Sequence, residues 1–226
     1  MSVVLITGCD RGIGRALCLR LRERGERVIA ACLGDPRDLR EHGIQVEPHI
    51  DVTRDDAVDG LARRLERDGV MLDWLISNAG VLGVDTLGDI DFDEVRRQFE
   101  INAIGPLRVV QALAGRLRAG SKVAIVTSRV GSLGDNGSGG MYAYRASKAA
   151  ANMIGLNLHH DLKGRGIAVL MLHPGLVATD LTKDFPRDMP WIEPDEAAAG
   201  LIRNIDELTM ETAGKFRHAN GDYLPW

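Results

Sequence analysis

Seven short runs of β-branched and aliphatic residues, separated by stretches of helical periodicity, constrain this chain more than any other feature. The runs are Val3 to Thr7, Val28 to Cys32, Gln45 to Ile50, Leu72 to Asn78, Lys122 to Ser128, Ala168 to His173 and Gly214 to His218. Most are apolar throughout rather than alternating, the pattern of strands covered on both faces. Between the first two, Ile13, Ala16, Leu17 and Leu21 recur at helical spacing and Gly25 supplies a C-terminal stop. The alternation returns with Val58, Leu61 and Leu65 before the fourth run, and with long helical stretches around Phe92 to Leu117 and Tyr142 to Leu162. Parallel strands joined by right-handed helical crossovers are the economical solution, so the pattern predicts an α/β fold: a doubly wound parallel sheet of about seven strands with helices on both faces.

A chain of 226 residues can bury one extended core but is short for two enzyme domains and a linker, and no repeat or low-complexity tract divides it. A single domain over residues 1–226 is therefore expected. Two turn-rich segments, 131–140 and 180–194, fall just past strand ends, where open α/β sheets bind ligands; the second is the expected substrate lid. The net charge of −4 gives no electrostatic reason for a nucleic-acid partner, and the basic residues from Arg15 to Arg27 are interleaved with Glu23 and Glu26, as on a solvated helix face. Three cysteines, Cys9, Cys18 and Cys32, form neither an even disulfide set nor a metal-ligand spacing. No bound metal is expected, and free thiols fit a reducing, cytoplasmic setting. The first residues enter the apolar run Val3–Val4–Leu5–Ile6 without a basic leader or a long hydrophobic stretch, so export and membrane insertion are disfavoured.

The first run ends in Thr7–Gly8–Cys9–Asp10–Arg11–Gly12–Ile13–Gly14, directly before the first helical pattern. Glycines between strand and helix let the backbone turn sharply and approach a pyrophosphate, which the helix N-terminus favours through free N–H groups and its positive dipole end. The spacing is Thr-Gly-x-x-x-Gly-x-Gly rather than the commoner G-x-G-x-x-G, and it resembles the fingerprint of the short-chain dehydrogenase/reductase family. The resemblance extends over nearly the whole chain and implies a Rossmann-type domain. By that likeness Gly8, Arg11, Gly12, Ile13 and Gly14 form the phosphate turn, Asp51 and Val52 the adenine contacts, and Asn78, Ala79 and Gly80 support the sheet and the cofactor. Pro174, Gly175, Val177 and Thr179 match the region that holds the nicotinamide end.

An acid at the tip of the second strand would bond the ribose 2′-hydroxyl and repel a phosphate there. Ala30–Ala31–Cys32–Leu33 contains none, and Arg11 matches a position where NADP-preferring relatives carry a base. NADP(H) is thus the preferred cofactor on this reading, with NAD(H) kept open because Asp35 lies near enough to swing in.

Tyr144 and Lys148 are four residues apart, on one face of a predicted helix. Ser128 ends the fifth run and Asn102 lies inside the preceding helical stretch, and the four match the family's Asn, Ser, Tyr and Lys. Hydride transfer to a carbonyl carbon leaves an alkoxide that needs a proton, so Tyr144 is the candidate acid, and the base in reverse. The resemblance assigns Lys148 to lowering the phenol's pKa and to the nicotinamide ribose, Ser128 to the substrate oxygen, and Asn102 to a water linking Lys148 to solvent. Tyr142 is a weaker candidate because residue 146 is Ala, and Ser132 because it lies beyond Gly131 in the loop. Asp89, Asp91, Asp93 and Glu100 imitate a calcium loop, but Glu94 stands where its sharp turn needs Gly; a helix start capped by Asp91 is the better reading. His159, His160 and His173 read as packing or surface residues.

The stretches Thr127–Leu133, Gly139–Arg145, His173–Gly175 and Gly221–Trp226 look like the C-factor and sniffer-like carbonyl reductase branch. Leu176, and Thr182–Lys183 in place of paired glycines, depart from it in the lid. The resemblance implies reversible reduction of a small ketone or aldehyde to an alcohol by a homodimer or homotetramer. The alternative is a dinucleotide-binding signalling or sensing protein with little turnover.

Overall fold

A computed structural model describes residues 1–186 and 188–226. Its seven strands are β1 (Val3–Thr7), β2 (Arg27–Ala31), β3 (Gln45–Glu47), β4 (Leu72–Ser77), β5 (Leu117–Val126), β6 (Ala168–His173) and β7 (Phe216–His218). They form one parallel sheet in the order β3-β2-β1-β4-β5-β6-β7. The helices are α1 (Gly12–Glu23), α2 (Arg37–Glu41), α3 (Asp55–Arg67), α4 (Phe92–Phe99), α5 (Gly105–Leu113), α6 (Tyr142–Leu162) and α7 (Pro194–Asp206).

Alternation along each strand divides the core in two. Val4 and Ile6 of β1 and Leu170 and Leu172 of β6 face Leu17 and Leu21 of α1, Leu39 of α2, and Leu201 and Ile205 of α7. Leu5, Val169 and Met171 face Val58, Leu61 and Leu65 of α3, Val109 and Leu113 of α5, and Leu158 of α6 on the other side. The expected doubly wound α/β architecture is thus present, with helices on both faces. Among the described residues, no helix is long and apolar enough to cross a membrane.

Most bounds shift by one or two residues, and three depart further from expectation. β5 begins at Leu117, five residues before the apolar run, and pairs with Leu72 ahead of a register shift in β4. The polar segment Arg118–Ala119–Gly120–Ser121 hides this extension, and the Ser121 hydroxyl secures it by donating to Leu72 O at 2.7 Å. β3 ends at Glu47, and His49 then takes a positive φ of 59°. The stretch expected as one helix from Phe92 toward Leu117 is α4, a π-helical turn over Glu100–Ile104, and α5. Asp91 caps α4 by accepting from Asp93 N and Glu94 N, as the helix-start reading requires.

Candidate active site

The C-terminal ends of β1, β2 and β4 open onto a cleft of about 590 Å³. Gly8, Gly12 and Ile13 line it on one side, Asp51, Val52, Asn78, Ala79 and Gly80 across the sheet, and Tyr144, Lys148, Pro174 and Thr179 at the far end. The glycine turn is shaped by close approach. Gly8 has φ +71°, and a Cβ there would lie 2.7 Å from Ala79 Cα; Gly12 has φ +55°. Gly14 faces away from the cleft, where a Cβ would press on Gly8 O and Asn78 Nδ2, so its part is to let α1 pack closely against the strand ends.

Asn78 ties β4 to this turn. Its Nδ2 donates to Thr7 O and Gly8 O, each at 3.1 Å, while Thr7 Oγ1 accepts from Asn78 N at 3.1 Å and Ala79 N at 3.2 Å. The N-cap of α1, Arg11, offers no side-chain acceptor to the first helical turn, so those N–H groups remain available to an anion. Positive-φ glycines, a free helix N-terminus and an elongated cleft fit a dinucleotide. Asp51 accepts from Thr53 N at 2.9 Å and Thr53 Oγ1 at 2.7 Å at the cleft wall.

At the far end, α6 carries both Tyr144 and Lys148, and its start is fixed by a residue remote in sequence. Asp85 accepts from Tyr142 N at 2.5 Å and Ala143 N at 3.0 Å, capping α6 after Met141 turns through φ 51°. Ser128 follows β5 and lies beside Tyr144, where its side chain favours the ionised phenol. Lys148 Nζ donates to Val126 O at 3.2 Å and stands 5.7 Å from the Tyr144 ring centroid. Asn102 lies in the π-helical turn, where Nδ2 donates to Val81 O at 2.9 Å and Ser147 Oγ at 3.0 Å, and Oδ1 accepts from Val81 N at 2.9 Å. A Cβ on Gly80 would fall 3.2 Å from Asn102 Oδ1 and 3.5 Å from Lys148 Nζ, so glycine leaves room for both groups to converge there. π-turns of this kind concentrate at functional sites.

Burial dominates the electrostatics. It raises the Tyr144 phenol to about 12, and the neighbouring Ser128 side chain only partly opposes it. It lowers the Lys148 ammonium to about 8. Desolvation is thus the largest cause of both shifts.

The short chain dehydrogenase family matches residues 2–190. This chain belongs to that family. A 1-hydroxy-2-glutathionyl-2-methyl-3-butene dehydrogenase of Rhodococcus sp. (strain AD45) is 58% identical over 226 residues, covering all of both chains. The C-signal protein of Myxococcus xanthus is 46% identical over 158 residues, 69% of this chain and 93% of that one. The carbonyl reductase Sniffer of D. melanogaster superposes with TM-score 0.90 at 26% identity over all of both chains. An NADPH-bound carbonyl reductase from chicken fatty liver gives 0.91 at 26% identity, over all of this chain and 99% of that one. The protein is accordingly an NAD(P)-dependent oxidoreductase acting on small molecules.

In this short-chain dehydrogenase the segment after β6 runs along the cleft, which Pro174, Thr179, Asp180 and Leu181 line. Thr179 packs beside Gly12, its methyl 3.3 Å from where a Cβ would be, and shares a capping box with Thr182. Gly175 and Val177 do not line the cleft: Gly175 faces Ile192 and His218, and Val177 is buried and bridges to Ile192. Backbone bonds from Ile192 N to Leu176 O and from Ala178 N to Ile192 O, at 2.8 and 2.9 Å, close the base of the 180–194 segment. Residue 187, within that expected lid, lies outside the described residues. Cleft residues that sequence reasoning missed include Asp10, Leu33, Gly34, Arg97 and Ile101. Arg97 and Ile101 are one helical turn apart, but their stretch carried no spacing signal.

His173, at the end of β6 and outside the cleft lining, has a strongly shifted pKa. Its Nδ1 is buried without a partner, its ring meets His218 edge-on at 4.9 Å, and its pKa falls to about 3, first through burial and then through His218 and Arg129. Unfolding would restore the ordinary value of 6.5, so the unfolded chain binds the extra proton between those pH values. Stability is therefore complete above about pH 6.5 and lost progressively toward about pH 3. Thermal melts across this range should show the decline, and His173→Gln should melt lower at neutral pH but lose less on acidification.

Proposed function

We propose that this enzyme interconverts an alcohol and its carbonyl compound, with Tyr144 as general acid in reduction and general base in oxidation. The observation that carries the reading is that Tyr144, with Ser128 beside it, and Lys148 line one end of a cleft whose other end is the glycine turn. A bound nicotinamide supplies or accepts the hydride. Ser128 holds the substrate oxygen beside the phenol, and Tyr144 moves the proton to or from that oxygen. With its phenol raised to about 12, Tyr144 stays protonated at neutral pH, the form a proton donor needs. Lys148 lies on the same helix face and holds the ribose, with Gly80 leaving space for it and for a water bound near Asn102.

NADP(H) is the preferred cofactor, with NAD(H) as the second choice. Arg11 supports this: its side chain is exposed at the cleft rim and meets only the equally exposed Asp180 at 3.7 Å, a pairing worth little in water. The NADPH-bound carbonyl reductase neighbour supports it too. Full-length identity of 58% to the Rhodococcus dehydrogenase favours a glutathionyl alcohol among possible substrates. A cytoplasmic homodimer or homotetramer is the form expected from the family likeness.

A panel of alcohols and carbonyls, including a glutathione thioether of a primary alcohol, followed by nicotinamide absorbance with each cofactor, tests the reading. Turnover of the thioether alcohol is the expected result. Binding of the dinucleotide with no turnover of any panel member would instead favour a sensing role, to which the likeness to C-signal lends support.

A further inference from the structure

An acidic group does stand at the tip of β2, although β2 does not supply it. Asp10, in the glycine turn, reaches across so that Oδ2 accepts from Leu33 N at 3.0 Å and Oδ1 from Gly34 N at 2.7 Å. Asp10, Arg11, Leu33 and Gly34 line the same cleft. Gly34 hugs the carboxylate, since a Cβ there would be 2.9 Å from Oδ1. The strand's own side chain at this point, Cys32, is fully buried, and Asp35 is held by Arg40, outside the cleft lining. Among the described residues no ion pair engages Asp10, whereas Arg15 and Arg40 are paired with Asp38 and Asp35.

We propose that Asp10 is the residue that sets how far this enzyme prefers NADP(H) over NAD(H). The inference rests on dinucleotide binding in the cleft, as proposed above. A carboxylate offers about four acceptor positions, and two backbone N–H groups leave the remainder for ribose hydroxyls. The same charge opposes a 2′-phosphate placed beside it, while Arg11, the next residue, attracts one. The glycine turn therefore carries both signs of the discrimination: Arg11 draws the phosphorylated cofactor, and Asp10 keeps the unphosphorylated one competitive. A chain whose β2 tip is Ala–Cys–Leu has shifted the discriminating acid to the neighbouring turn.

Calorimetric titration of adenosine 2′,5′-bisphosphate and of adenosine 5′-diphosphate tests this without turnover. Asp10→Asn keeps an acceptor oxygen and removes the charge, so affinity for the 2′-phosphorylated ligand relative to the other should rise about tenfold. Asp10→Ser should shift the ratio the same way, and serves if the first variant folds poorly. Asp35→Asn, which alters an acid outside the cleft, should leave the ratio unchanged. If either Asp10 variant is folded and its ratio equals that of the wild type, the inference fails while dinucleotide binding stands. If neither ligand binds the wild type, the dinucleotide reading itself is overturned, and this one with it.

Discussion

Tyr144→Phe should lower kcat by about 10²–10⁴-fold, the span covered by a positioned proton donor or acceptor. The dinucleotide dissociation constant should change by no more than about twofold, since the buried ring and its packing are kept. The hydroxyl is the only atom removed. Ser128 Oγ still accepts from Val130 N at 3.4 Å, so the strand end should hold its place. Steady-state rates beside a fluorescence titration of cofactor separate the two effects. Turnover that survived the substitution would remove Tyr144 from the chemistry and require another proton donor in a cleft that offers no second phenol.

Gly8→Ala should damage the fold and the cofactor site together. Its φ of +71° costs an L side chain about 1–2 kcal/mol, and the new methyl would press on Ala79 Cα at 2.7 Å, an overpacking that costs about 1–3 kcal/mol more. A loss of about 3 kcal/mol corresponds to a fall in Tm of roughly 10 °C for a chain of this size. Because Ala79 belongs to the segment that Asn78 ties to the turn, dinucleotide affinity should fall at least about tenfold even in the surviving folded fraction. Differential scanning calorimetry and cofactor titration on the same preparation test both. An unchanged Tm would mean that the turn yields more easily than its contacts indicate.

The architecture was legible because strand burial on two faces writes itself as uninterrupted apolar runs: Val3–Thr7 and Ala168–His173 have the bounds expected from sequence, as does the helical stretch Tyr142–Leu162. The polar start of β5 was not, because Arg118, Ala119 and Gly120 face solvent and carry no burial signal. The π-turn at Asn102 was hidden for another reason: its residues keep helical periodicity, and nothing in that pattern marks the wider turn that packs against α6. At the site, motif spacing pointed to Gly8, Gly12 and Ile13 at one end of the cleft and to Tyr144 and Lys148 at the other, whereas Asn102, Ser128, Gly175 and Val177 stand outside its lining. Asp10 at the β2 tip and Asp85 at the start of α6 escaped notice because each acts on backbone far along the chain, 23 and 57 residues away. Side chains that cap a distant segment leave no periodic trace.

Strand order also has a consequence in time. β1 is flanked by β2 and β4, and α1 shares its apolar contacts with α7, whose Leu201 and Ile205 come some 180 residues after Leu17 and Leu21. A ribosome therefore delivers the phosphate-binding turn first and its last structural support almost at the end. Until α7 emerges, one side of the nascent protein presents bare aliphatic surface, and chaperone capture or proteolysis should concentrate on chains stalled in that interval.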